Sequence, residues 1–137
     1  MSETIQFELD GIPAEAALGE SIWQVAARLG TVLPHLCHTE ESGYRADGNC
    51  RACMVEIDGE RVLAPSCRRQ PEAGMVVKTA SARALQSRVL VMELLLADQP
   101  GRGETHDPDS LFWHWAETQG VESSRFPRRA TKPKCDN

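Results

Sequence analysis

Four of the five cysteines in this 137-residue chain fall in one interval and read C-x12-C-x2-C-x13-C: Cys37, Cys50, Cys53 and Cys67. Two close thiols, joined by one from each side, form a coordination pattern. Thiolate is the ligand form of cysteine, and four soft sulfur donors select zinc or an iron–sulfur cluster. Structural zinc sites commonly use two short chelating pairs, whereas here there is one, Cys50 and Cys53. A [2Fe–2S] centre is wider than a single ion. It is commonly enclosed by a long loop with its last ligand arriving from further along, as in the plant-type C-x4-C-x2-C pattern with a distant fourth cysteine. The present spacing follows that logic with a longer first gap, and favours [2Fe–2S] over zinc. Gly43 and Gly48 suit a chain that must wrap closely around sulfide.

Other chemistries fit less well. His35 and His38 flank Cys37, but a Rieske centre needs two histidines on one iron and no histidine accompanies the Cys50 and Cys53 turn. Both are expected to be surface or hydrogen-bonding residues. Four spaced thiols exceed what nucleophilic catalysis requires, and no catalytic residue is assigned. Cys135, near the end of the chain, is expected to be a free thiol. Arg45, Arg51, Arg68 and Arg69 lie close to the cysteines in sequence, where positive charge would ease reduction of an anionic cluster or dock a partner.

The elements that would position these thiols are short and well marked. In "TIQFELDGIPAEAAL", Ile5, Phe7 and Leu9 alternate with polar residues and Asp10-Gly11 forms a favoured tight turn, so two antiparallel strands open the chain. "SIWQVAARLG" carries a capping-box pair, Ser21 and Gln24. Its apolar stripe is Ile22, Val25, Ala26 and Leu29, and Gly30 is placed to stop the helix. After the cysteine loop, "CMVEIDGERVLA" predicts a second hairpin about Asp58-Gly59, and "MVVKTA" a further strand. Ser81 is placed to cap a helix whose Leu85, Val89, Met92 and Leu96 share a face expected to pack on the sheet. Beyond the break "DQPGRGETHDPDS", "LFWHWAETQG" predicts a short helix capped by Asp109 or Ser110. Its Phe112, Trp113 and Trp115 suggest docking on this domain or on a neighbour.

Composition limits the partners. Hydrophobic residues make up 41% and charged residues 26%, the mix of a folded domain. The formal net charge of −5 argues against broad nucleic-acid binding. Charge is uneven: residues 121–137 hold five basic and two acidic side chains, a basic tail read as solvated. The start of the chain lacks a secretory pattern, and the most apolar run, "VLVMELLLA", is far shorter than the ~20 residues of a membrane span. A cytoplasmic protein without membrane insertion is expected, and in that compartment clustered thiols more often bind metal than form disulfides.

The run "LPHLCHTEESGYRADGNCRACMVEIDGERVLAPSC", following a hairpin and a helix, resembles the β-grasp [2Fe–2S] ferredoxin domain at the N-terminus of large redox subunits. Such domains occur in NADH dehydrogenase, NAD-reducing hydrogenases and molybdenum formate dehydrogenases. The resemblance covers roughly residues 1–97 and implies an α+β, plant-type-ferredoxin-like β-grasp domain with a C-terminal helical extension and basic tail. It divides the chain into 1–80, the ferredoxin-like domain; 81–97, a packing helix; and 98–137, linker, aromatic helix and tail. It carries the cluster ligands onto Cys37, Cys50, Cys53 and Cys67. In the NADH dehydrogenase and hydrogenase members, a histidine and three cysteines that bind a [4Fe–4S] cluster follow the packing helix. Here that segment offers His106 and no cysteine before Cys135, and with its Trp-bearing helix and Arg125-Phe126-Pro127 stretch it is more similar to the alpha subunit of soluble NAD-dependent formate dehydrogenase. The implied role is one-electron relay in a complex with molybdenum-bearing and flavin/NAD-bearing partners. The chain is expected to represent the N-terminal module of such a subunit, as a piece or free-standing. An independent small ferredoxin and a zinc-stabilised interaction module are the other readings.

Overall fold

The computed structural model describes residues 4–37 and 48–127. Strands β1 (Thr4–Leu9) and β2 (Ile12–Ala17) form the first hairpin, with Leu9 opposite Ile12. Asp10 and Gly11 occupy its turn with φ of 52° and 81°, the two left-handed residues that match the twist of paired strands. Alternation puts Phe7, Leu9, Ala14 and Ala16 inside. Strand β5 (Val76–Lys78) runs parallel to β1. Strand β3 (Met54–Ile57) runs antiparallel to β5, and β4 (Ala64–Pro65) antiparallel to β3, giving the order β2-β1-β5-β3-β4. The Asp10 carboxylate accepts from the Thr79 N–H at 2.7 Å and the Thr79 hydroxyl at 2.6 Å, tying the first turn to the end of the central strand.

Helix α1 (Ile22–Arg28) begins on the expected capping box: the Ser21 hydroxyl accepts from the Gln24 N–H, and the Gln24 side chain accepts from the Ser21 N–H. It ends on Gly30 at φ +100°, where the Gly30 N–H reaches the Ala27 carbonyl and the Thr31 N–H the Ala26 carbonyl. Ile22, Val25 and Ala26 are buried against the sheet as the periodicity predicts, Ile22 and Val25 each contributing roughly 1.5–3 kcal/mol. Leu29 departs from the expectation. It is the helix C-cap and half exposed, while Trp23 is buried and donates its indole N–H to the Leu33 carbonyl at 2.9 Å. The second hairpin is wider than its Asp58-Gly59 turn suggests, because pairing resumes only at Ala64 and leaves Val62 exposed.

Helix α2 (Ala82–Ala97) is capped by the Ser81 hydroxyl, which accepts from the Ala84 N–H at 3.2 Å. Its buried residues correct the expected stripe. Ala84, Arg88, Met92 and Glu93 are inside, and Leu85 is exposed. Arg83 and Arg88 bond to residues of β3, Glu56 and Met54, whereas Val89, Met92 and Leu96 pack with helix α3 (Leu111–Thr118). The helix has neighbours on two sides, and its apolar residues serve the helical one. Trp113, Trp115 and Ala116 of α3, with Val121 behind it, complete a second core around Met92, so the aromatic helix docks on its own chain. Ser110 is its N-cap. Glu93 accepts from the Arg125 backbone and guanidinium, with nitrogen–oxygen distances of 3.0–3.2 Å, pinning the segment after α3 onto α2. No helix among the described residues is long and apolar enough to cross a membrane.

Candidate functional site

The four cysteines lie on three different pieces of local structure. Cys37 ends a segment anchored from both cores: Leu33 is buried in the first and Leu36 packs against the second. His35 stands edge-on between Trp23 of α1 at 4.9 Å and Trp115 of α3 at 5.7 Å, between ring centroids. His35 is thus half-buried, with its ring packed between two indoles. Cys50 and Cys53 bracket a turn in which Arg51 has a φ of 60°, and Cys53 leads directly into β3. Cys67 follows β4 in a turn held by the first residues of α1. The Trp23 N–H donates to the Ser66 carbonyl and the Ile22 N–H to the Arg69 carbonyl, both at 2.9 Å. Helix-start N–H groups that lack an intrahelical partner therefore clamp the Cys67 turn. The buried Ser66 hydroxyl donates to the Cys53 carbonyl at 2.7 Å, fastening that turn to the Cys50 and Cys53 turn.

These anchors bring the thiols together in two pairs. The Cys37 N–H points at the Cys50 sulfur at 3.4 Å, and the Ala52 N–H points at the same sulfur at 3.5 Å. The Cys67 N–H points at the Cys53 sulfur at 3.4 Å. Cys53 and Cys67 are buried, Cys37 and Cys50 half-buried, and all four are free thiols. Among the described residues no three His, Cys, Asp or Glu side chains are grouped to hold one metal ion; a two-iron centre asks instead for two sulfur pairs.

The electrostatics follow the pairing. The hydrogen bond from Cys67 holds the Cys53 thiol down to about 6 against the opposing effect of burial, and the same contact, with burial, pushes the Cys67 thiol well up. Burial raises the Cys37 thiol, but N–H groups of Cys50, Asn49 and Gly48 outweigh it and the net direction is down. Burial dominates at Cys50, whose thiol is raised despite N–H groups from Ala52, Cys37 and Leu36. Four partly buried sulfurs cannot all ionise alone, because each new thiolate repels the others. Multivalent iron removes that conflict, so the donor set suits a cluster.

Not every residue singled out from sequence reaches the site. Arg69 forms a forked ion pair with Glu60, with one nitrogen–oxygen distance of 3.0 Å. Arg51, Arg68 and His106 are exposed. Arg45, His38, Gly43 and Cys135 lie outside the described residues. Gly48 adopts φ +70°, the left-handed geometry expected for a glycine before Cys50. Sequence reasoning missed Trp23 and Arg88. The available signal for Arg88 was its four-residue spacing from Ala84 and Met92, which sets it on a buried stripe.

A mixed five-stranded sheet with one helix across it, and cysteines gathered from the loops beside that helix, defines an α+β, ferredoxin-like β-grasp domain. Residues 2–82 match the family described as the 2Fe-2S iron-sulfur cluster binding domain, and the chain belongs to it. It is 39% identical over 95 residues to the NADP-reducing hydrogenase subunit HndD of Solidesulfovibrio fructosivorans, covering 67% of this chain and 16% of that protein. Identity is 32% over 96 residues to a subunit of the NADH-quinone oxidoreductase of Rickettsia felis, covering 70% of this chain and 14% of the relative. The mitochondrial NADH-ubiquinone oxidoreductase 78 kDa subunit of Neurospora crassa is 33% identical over 96 residues, covering 70% of this chain and 13% of that one. The chain thus spans about a sixth or less of these relatives. A crystal structure of an NAD+-reducing [NiFe]-hydrogenase in the H2-reduced state superposes with a TM-score of 0.76 at 26% identity, covering 95% of this chain and 55% of that one. A likeness of that extent runs past residue 82 into α2 and α3.

Proposed function

We propose that Cys37, Cys50, Cys53 and Cys67 hold the [2Fe–2S] cluster and that the chain relays single electrons within a larger NAD(P)-linked oxidoreductase. The observation that carries this reading is the meeting of the four thiols in two N–H-linked pairs. When bound, the cluster supplies reversible one-electron chemistry, with a formal charge of about −2 oxidised and one unit more negative reduced. The chain's own residues do the rest. Cys53 and Cys67, at the start of β3 and just after β4, are buried from water, while the half-buried Cys37 and Cys50 mark the side nearest an incoming partner. The Cys37, Ala52 and Cys67 N–H groups are directed at sulfur, where they stabilise added negative charge.

Among such complexes, we favour one that oxidises formate at a molybdenum centre and reduces NAD through a flavin-bearing partner in the cytoplasm. The absence of cysteine between Cys67 and Cys135 supports this over a hydrogenase or quinone reductase arrangement, whose next cluster would need thiols in that interval. Residues 1–80 serve as the cluster domain, 81–97 as its packing helix, and 98–137 as linker, aromatic helix and basic tail.

Anaerobically purified protein is expected to contain two irons and two acid-labile sulfides per chain and to show a paramagnetic signal on reduction, by element analysis and electron paramagnetic resonance. Serine at any of the four cysteines is expected to abolish that signal, and Cys135→Ser to leave it intact. A colourless protein carrying one zinc overturns the assignment. Formate, but not hydrogen, should reduce the cluster in the complex isolated with its partners; reduction by hydrogen alone would sink the formate reading, and purification without any partner would favour an independent ferredoxin.

A further inference from the structure

Arg88 lies in the middle of α2 and is only 4% exposed. One guanidinium nitrogen donates to the carbonyl of Met54 at 3.2 Å, and the buried Nε has no hydrogen-bond partner. Among the described residues it forms no ion pair. A buried cation without a carboxylate is a costly arrangement unless some other anion faces it. Two anionic groups reach Arg88 through their field without touching it: the Asp10 carboxylate, which keeps its charge while accepting from the neutral Thr79, and after it the Cys53 thiolate. Met54 directly follows Cys53, so the buried guanidinium is held on the carbonyl of the residue next to one of the inner sulfur pair.

The exposed arginines make a useful contrast. Arg51 and Arg68 stand in solvent, where counterions weaken their field. Arg69 is neutralised locally by Glu60. Arg88 is shut off from solvent and, among the described residues, forms no direct ion pair; the Asp10 carboxylate acts on it only at longer range.

We infer that Arg88 is a positioning residue for redox chemistry: an internal counter-ion, fixed from α2 on the carbonyl of the residue next to Cys53, that favours the reduced cluster and raises its midpoint potential. The inference rests on the assignment of Cys53 as a ligand. Reduction adds one electron from a redox partner to the iron pair, with no bond made or broken, so the centre becomes more negative by one unit while the guanidinium stays charged. A fixed positive charge nearby must therefore stabilise the product more than the reactant.

Redox titration of the cluster-loaded full chain, followed by electron paramagnetic resonance at low and high salt, tests this. Arg88→Gln keeps a donor for the Met54 carbonyl and removes the charge; Arg88→Met removes both and serves as a second neutral variant; Arg88→Lys keeps the charge. Both neutral variants are expected to retain the oxidised spectrum and show a more negative midpoint, shifted equally at low and high salt. Arg88→Lys is expected to stay close to the unsubstituted protein. A cluster-loaded neutral variant with an unchanged midpoint overturns the inference. So does a shift that high salt erases, or a Lys variant that falls as far as Gln. Failure of the ligand assignment would look different: the unsubstituted protein would lack the cluster, or the Cys53→Ser protein would keep it.

Discussion

Gly48, two residues before Cys50, is left-handed at φ +70° beside Pro65 and Arg68. A Cβ there would lie 3.5 Å from the Pro65 ring, an ordinary contact, so the objection to a side chain is conformational rather than steric. Gly48→Ala is therefore expected to lower stability by about 1–2 kcal/mol, the cost of a left-handed L-residue, read as a shift of the denaturant midpoint. An unshifted midpoint would mean the turn can re-form with negative φ. The left-handed turn at this glycine was legible in the sequence because it depends on residue type, and the ligand role proposed for the four thiols is likewise read from type and spacing. Arg88 was not. Its charge predicts a surface position, and only the packing of α2 against β3 buries it.

At the scale of elements, caps and turns followed their local signals. Ser21, Gln24 and Gly30 delimit α1 as expected because each acts on backbone groups within a few residues. The face that a helix turns inward is a different matter, as α2 shows by giving Val89, Met92 and Leu96 to α3 rather than to the sheet. The same helix holds the chain beyond α3 through Glu93. The Arg125 hydrogen bonds keep the Glu93 carboxyl below the usual carboxylate range. A lowered folded-state value adds stability that is present above the unfolded value of about 4.3 and lost as pH falls through the folded one. Acidification across that window is thus expected to release residues 121–127 from α2, seen as faster amide exchange at Arg125. Glu93→Gln should reproduce the release at neutral pH; protection that stays constant under both changes would refute the latch.

For the whole molecule, the decisive feature is the second core. Leu36, one residue before Cys37, packs into the α2–α3 cluster, while Leu33 belongs to the first core, so the extension helps seat a cluster-loop residue. The structural likeness likewise continues beyond the family's boundary at residue 82. Met92 is fully buried at the centre of that second core. Met92→Ala is expected to cost about 2–5 kcal/mol and to expose Trp113 and Trp115, with red-shifted tryptophan emission and faster loss of the cluster to a chelator. Unchanged cluster lifetime alongside the shifted emission would show that the extension does not support Cys37.

The sequence by itself determined what can be read within a few residues or from the kind of donor: tight turns, capped helices, and sulfur spacing suited to an iron pair. Tertiary structure alone decided which thiols meet as pairs, that α3 folds back over Met92, and that a cation is buried against the strand that follows Cys53. Those outcomes join residues far apart in the chain, and an apolar stripe cannot specify which of two neighbours it will cover. Only the competition among packed faces settles that, and here it set α2 between the sheet and α3.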